Sequence, residues 1–435
     1  MTVPALTKAR KPKKLNTVEE TLSNGLRVLA VGKPGVPMAE VRLRLPFLSA
    51  KAAHAARAAV LSDSILTGSH SHDRAGLAAA VQALGGDLNV SIDADRLVLS
   101  ANVLSANVTA LLGLIYEVVT SATYPDAEVA TERDRLVENL SIARSRSQVV
   151  ANEALGRLMF GAHPYALDLP QPEDVRSVTP AQLRRLHAEL IQPDGAILVV
   201  VSDLPPARAR DRVAAALGEW QGRPTRPRVP KLPPIVGAPF ELIDRPGSVQ
   251  TSIRMGASAL RRDDPGYAAL QLANAIFGGY FSSRWTENIR EDKGYTYGPH
   301  SRIEHHALGS TLTLDVDVAS EVTAPAVLET YYELGRIALL PVTDKEVESV
   351  RQYSIGSLAL SIATQAGLAS TLTALIASGL GPEWITEHTA RLAAVSLEDV
   401  SAAAAQFLTP TRFLGVLVGD EASIREPLSA IVALT

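Results

Sequence analysis

The chain has 435 residues, of which 46% are apolar and 20% charged, and its formal net charge is −4 at pH 7. That length exceeds one ordinary core and suits two or three domains, in a composition typical of soluble globular proteins. The slight negative balance argues against general nucleic-acid binding, and the absence of cysteine removes disulfides, thiolate metal sites and cysteine nucleophiles.

At the start, Lys8, Arg10, Lys11, Lys13 and Lys14 crowd residues 1–15, which we expect to form a solvated basic tail. No apolar stretch follows them as a secretory signal requires. No run approaches the roughly 20 apolar residues that span a bilayer, so the expected address is the cytoplasm. Residues 38–47 alternate apolar and polar side chains and predict a strand, and residues 55–68 predict an Ala/Leu-rich helix. Residues 114–136 read as helix, Pro-marked break and acidic-started helix. Residues 178–193 read as a helix entered at Thr179, and residues 196–203 as a buried apolar strand.

The same order then recurs. Residues 249–258 repeat the alternating strand, 267–279 the first helix, 330–353 the broken helix pair, 395–410 the capped helix and 413–420 the apolar strand. A period near 200 residues is far too long for a solenoid and means two copies of one domain. Between them, residues 222–239 hold repeated prolines without helical periodicity, the pattern of an extended linker. We therefore expect a tail over 1–15, domains over 16–217 and 240–435, and a linker over 218–239. Strands and helices come in groups, so the fold class is α+β, each copy a largely antiparallel sheet with helices packed on one face.

Residues 277–298 carry the most informative local pattern. Ser282 or Ser283 can cap a helix with Trp285 and Ile289 on one face. Lys293 falls in its last turn and Gly294 is placed to end it. A helix–turn–strand of this kind brings Arg290 and Tyr297 to one opening. From spacing alone, Arg290 reads equally as a solvated helix charge and Tyr297 as a core aromatic.

Here the chain resembles the pitrilysin family of zinc peptidases, which includes insulysin and the mitochondrial processing peptidase. The resemblance rests on Gly278-Gly279, Ser283-Arg284, Arg290-Glu291, Gly294 and Tyr297 in the second copy. In the first it rests on Thr67-Gly68, residues 84–100 and His163-Pro164-Tyr165. It covers nearly the whole chain, duplication included. It implies that Arg290 and Tyr297 hold substrate and donate hydrogen bonds to a carbonyl oxygen becoming an oxyanion, the phenol in a pocket that excludes water.

Active members of that family carry His-x-x-Glu-His just before the Thr-Gly position, two histidines binding zinc and the Glu acting as general base. The matching places here hold Ala59, Ser62 and Asp63: first ligand, base and second ligand are all replaced. No two of the nine histidines stand four apart, and Glu138, close to the place of the family's third ligand, reads as a surface carboxylate. His70-x-His72-Asp73 and His300…Glu304-His305-His306 read as solvated clusters, and His163-Pro164-Tyr165 as a structural turn. We expect no metal on this chain. The resemblance implies a homologous partner that brings zinc, to which this chain contributes Arg290 and Tyr297, with a peptide held as an added strand. A non-catalytic structural subunit and a peptide-binding homodimer are the alternatives.

Overall fold

Local signals mark the element starts. Thr179 and Gln182, Thr343 and Glu346, and Ser396 and Asp399 each form a reciprocal capping box that starts a helix. In β3 (Met38–Pro46) alternate residues Ala39, Val41, Leu43 and Leu45 are buried, as a strand with one face on a core requires. This computed structural model describes residues 14–51, 53–166, 169–222 and 230–435. Lys8, Arg10, Lys11 and Lys13 of the expected tail, and residues 223–229 of the expected linker, lie outside the described residues.

The first sheet contains β1 (Asn16–Thr21), β2 (Arg27–Gly32), β3, β4 (Asp87–Ile92), β5 (Arg96–Leu104) and β6 (Ile197–Ser202), in the order β1-β2-β6-β3-β5-β4. The second contains β7 (Glu241–Asp244), β8 (Gln250–Ala259), β9 (His300–His305), β10 (Ser310–Ala319) and β11 (Leu414–Gly419), in the order β7-β11-β8-β10-β9. Without β1 the two orders coincide strand for strand. All neighbours are antiparallel except β2–β6 and β7–β11, the one parallel pair of each sheet. The chain is thus two tandem copies of one α+β unit, as its repeat predicts.

Each sheet packs one face against its own helices. In the first half Val41, Leu43 and Leu45 meet Leu61, Leu111 and Ile115. In the second, Ile253 and Met255 meet Phe277, Trp285 and Leu334. The expectation of helices on a single face is incomplete, because each half also lends a helix to the other's sheet. Helix Gln365–Ala377 lies on β3 and β6, and helix Ser147–Phe160 lies on β8 and β11. The reason is in the central strands: β6 and β11 are buried at every position, and an apolar run without alternation needs cover on both faces. Val199 and Val201 meet Leu368, Leu372 and Ile376, while Val416 and Val418 meet Ala154 and Leu155.

Among the described residues no single helix is long and apolar enough to cross a membrane. Helices Asp344–Ser361 and Gln365–Ala377 pass a length and composition test only as a pair bent by 107°. The second of them is one of the two crossing helices.

Candidate functional site

The segment bearing Arg290 and Tyr297 is anchored from three sides. Arg284 is 9% exposed and donates from Nε and Nη2 to the two carboxylate oxygens of Glu346, at 2.6 and 2.9 Å. Glu346 is also the capping-box residue of helix Asp344–Ser361. The Trp285 indole donates to Thr330 Oγ1 at 3.0 Å and stacks on Phe277 with centroids 5.4 Å apart. Asn288 donates to Glu329 and to buried Glu333. Gly278 is required by this packing, since a Cβ there would lie 2.8 Å from the Trp285 ring.

Backbone geometry then aims the functional side chains. Residues Glu287–Asp292 form a π-helical turn, and Gly294 ends it at φ 66°. Such turns are rare and concentrate at functional sites. The structure brings the two predicted residues together: the Arg290 guanidinium lies 5.5 Å from the Tyr297 ring centroid. It also lies 4.6 Å from the ring of Phe281, a residue that sequence reasoning missed. A cation between two aromatic faces is held in place, and its Nε also faces the Glu291 carboxylate at 3.3 Å. Tyr297 is 91% exposed and Phe281 64% exposed, so in this chain alone the phenol stands in water rather than in a water-excluding pocket.

The positions that would carry zinc are assembled differently. Ala59, Ser62 and Asp63 lie on helix His54–Ser64, which packs against helix Asp126–Arg144. Asp63 faces Arg135 Nη2 at 3.8 Å. Burial pushes its carboxyl up, opposed by that guanidinium. Arg135 and Arg74 also hold the carboxylate of Glu132, which is 1% exposed. Glu138 points to solvent. The cation beside Asp63 is therefore an arginine, and a divalent ion placed there would meet a fixed positive charge and carboxylates already paired with it. Among the described residues no group of three or more His, Asp or Glu side chains is placed to hold a metal. The residues present do not fit a catalytic zinc. Nothing in the sequence pairs Arg135 with Asp63, because the contact spans two helices far apart in the chain.

Several other histidines are structural, while His70 and His300 are exposed. His72 Nδ1 sits 3.0 Å from Glu117, and Asp73 caps the next helix through Gly76 N at 2.7 Å. His305 bonds Tyr267 and Ser310, and burial pushes it down to about 3. His163-Pro164-Tyr165 forms a turn that joins the halves. The Tyr165 hydroxyl donates to Asp95 at 2.5 Å and accepts from Leu308 N, while Asp95 accepts from Ala307 N at 2.8 Å.

A cavity of about 140 Å³ beside Ala59 is lined by Ala55, Ala58, Ile92 and Asp93. Ile92 ends β4, the outermost strand of its sheet, which pairs with β5 alone. Neither Arg290 nor Tyr297 lines this cavity or the larger cleft between the halves.

Comparison with known proteins matches residues 58–173 to the insulinase domain of peptidase family M16, and residues 177–353 to the peptidase M16 inactive domain. Together these cover well over half of the chain. An uncharacterized zinc protease of Mycobacterium tuberculosis is 24% identical over 422 residues, covering 95% of this chain and 96% of that one. A Bacillus subtilis protein described as a probable inactive metalloprotease is 27% identical over 185 residues, 40% of this chain and 42% of that one. Among solved structures, an M16 inactive domain from Pseudomonas fluorescens superposes with a TM-score of 0.86 at 23% identity, over 93% of this chain and 98% of that one. A periplasmic protease of Escherichia coli superposes with a TM-score of 0.76 at 17% identity, over 97% of this chain and 50% of that one. These two likenesses show the fold. With the motif geometry above, the chain belongs to the insulinase (M16) peptidase family, as a member without the zinc-ligand set.

Proposed function

We propose that this chain is the substrate-binding subunit of a two-chain metallopeptidase, supplying Arg290 and Tyr297 to a zinc site on a homologous partner. The observation that carries this reading is a contrast within one molecule. The metal positions hold Ala59, Ser62 and Asp63 beside Arg135, whereas the Arg290–Tyr297 pair is braced from three sides and presented outward. A phenol 91% exposed in the isolated chain makes a strong donor to an oxyanion only once another surface excludes water from it. A partner does that. The open edge of β4 beside the cavity at Ala59 suits a peptide added as a further strand, with backbone hydrogen bonds giving affinity independent of side chains. The Escherichia coli protease, in which a unit of this size accounts for half the chain, supports a working assembly of two such units.

Chemically, the partner's zinc supplies the activated water. This chain's Arg290 holds the peptide and its Tyr297 hydroxyl donates to the carbonyl oxygen. The test is to mix the purified chain with a homologue carrying His-x-x-Glu-His and follow cleavage of a quenched fluorescent peptide. Cleavage is expected in the mixture alone, with kcat/KM falling about 100-fold or more in Arg290→Ala and in Tyr297→Phe. A stable complex whose cleavage is indifferent to both changes would leave the structural-subunit reading instead, and peptide binding by a homodimer without hydrolysis would leave the third. Cytoplasmic residence is part of the proposal and is read by cell fractionation.

A further inference from the structure

The cleft between the two halves has a volume of about 490 Å³, and a buried arginine without a close ion pair lines it. Arg44, on β3, lines it at 7% exposure. Its Nε has no hydrogen-bond partner, and among the described residues its guanidinium enters no ion pair. Asp95 and Asp93 act on this guanidinium only from beyond ion-pair distance, and the carboxylates that line the cleft have nearer partners. Asp93 binds Arg96 at 2.7 Å, Asp95 binds Tyr165 and Ala307 N, Glu304 binds Arg302 at 2.7 Å, and Asp315 binds Arg302 at 2.5 Å. Leaving a guanidinium buried and unpaired is costly, and a fold tolerates it where a ligand completes the pair.

The duplication shows how the space arose. Arg254 on β8 bonds Asn152 of the crossing helix at 2.9 Å, and Arg42 on β3 bonds Ser370 of the other crossing helix at 3.4 Å, so the two contacts are equivalent. Two residues on from these arginines stand Gly256 and Arg44. Seven residues on from their partners stand Met159 and Ala377. In the second half Met159 fills the site so closely that a Cβ on Gly256 would lie 2.4 Å from its sulfur. In the first half the large residue is the charged one, and Ala374, Ala377 and Ser378 opposite it are small. Room and charge therefore occur together in one copy only. Leu155, Phe160 and Ile303 add apolar wall.

We propose that this cleft is a carboxylate-binding site, with Arg44 as the cationic floor and the apolar wall taking the hydrocarbon next to the carboxylate. That the carboxylate belongs to a peptide, as its C-terminus or as an acidic side chain, rests on the function proposed above. That the cleft takes a carboxylate does not.

The test uses the whole chain alone, with 3-phenylpropionate and its uncharged amide as probes in calorimetric titration. The acid is expected to bind at least about tenfold more tightly than the amide, and that preference is expected to vanish in Arg44→Met. Ala377→Met, which copies into this half the side chain that fills the other, is expected to abolish binding with Arg44 intact and decides the matter if Arg44→Met does not fold. Equal affinity for acid and amide, or an acid preference that survives both substitutions, overturns the site. A peptide compared with its C-terminal amide, and with its Glu→Gln analogue, then assigns the source by whichever change costs about tenfold. If neither change matters, the peptide assignment is overturned while the result for cleavage by the mixed complex still stands separately.

Discussion

Replacing Arg284 with Met removes the fork that ties the Arg290-bearing segment to helix Asp344–Ser361. The two N–H···O bonds at 2.6 and 2.9 Å, with hydrogen bonds from Thr343 N and Oγ1 and a guanidinium only 9% exposed, draw the Glu346 carboxyl down to about 2 from its ordinary 4.5. Taken at face value that shift corresponds to about 3 kcal/mol at neutral pH. Glu346 is 29% exposed, and solvent screening reduces the expected loss in Arg284→Met to about 1–2 kcal/mol. The sign follows from the depressed carboxyl. Its stabilisation is complete above the unfolded value near 4.5 and is lost as pH falls toward about 2, with more than half gone by pH 3. Urea unfolding of wild type, Arg284→Met, Glu346→Gln and the double variant at pH 7 and pH 3 measures the coupling directly. A coupling below about 0.5 kcal/mol at pH 7, or one unchanged at pH 3, refutes the assignment of the fork as the brace.

Two further outcomes test how the halves are joined. Leu372, on the crossing helix and fully buried against β6, is expected to cost about 2–5 kcal/mol on truncation to Ala. Because that helix belongs to one half and its socket to the other, both halves should still melt in one calorimetric transition, and two separated transitions would count against the interlock. Tyr165→Phe leaves Asp95 and Leu308 N each short of one partner. It is expected to cost about 1–3 kcal/mol in denaturant titration and to speed amide exchange across residues 306–309.

Much of the architecture was legible in the chain itself. Alternation in residues 38–47 and 249–258, and capping signals at Thr179 and Ser396, are local properties that tertiary packing left intact. The unbroken apolar runs of β6 and β11 marked them as buried strands, although the expectation placed helices on one face only. What they did not signal was where the cover comes from, because helices Ser147–Phe160 and Gln365–Ala377 look like ordinary core helices and only the three-dimensional exchange reveals their sockets. In the candidate site, Gly294 and the Arg290–Tyr297 spacing were readable because they act within one turn and the short segment that follows it. The π-helical turn, the stacking of Arg290 on Phe281 and the exposure of Tyr297 depend on backbone detail that residue periodicity does not encode. Arg135 beside Asp63 and the buried Arg44 without a close ion pair are relations between distant segments, and no local pattern points to either.

Zinc content, determined by plasma mass spectrometry on the purified chain and on its complex with a His-x-x-Glu-His homologue and set beside peptide hydrolysis by each, bears most directly on the division of labour. The chain alone should carry no stoichiometric zinc and cleave nothing, while the complex should carry one zinc and cleave. One equivalent of zinc in the chain by itself, with hydrolysis that survives removal of any partner, would contradict it.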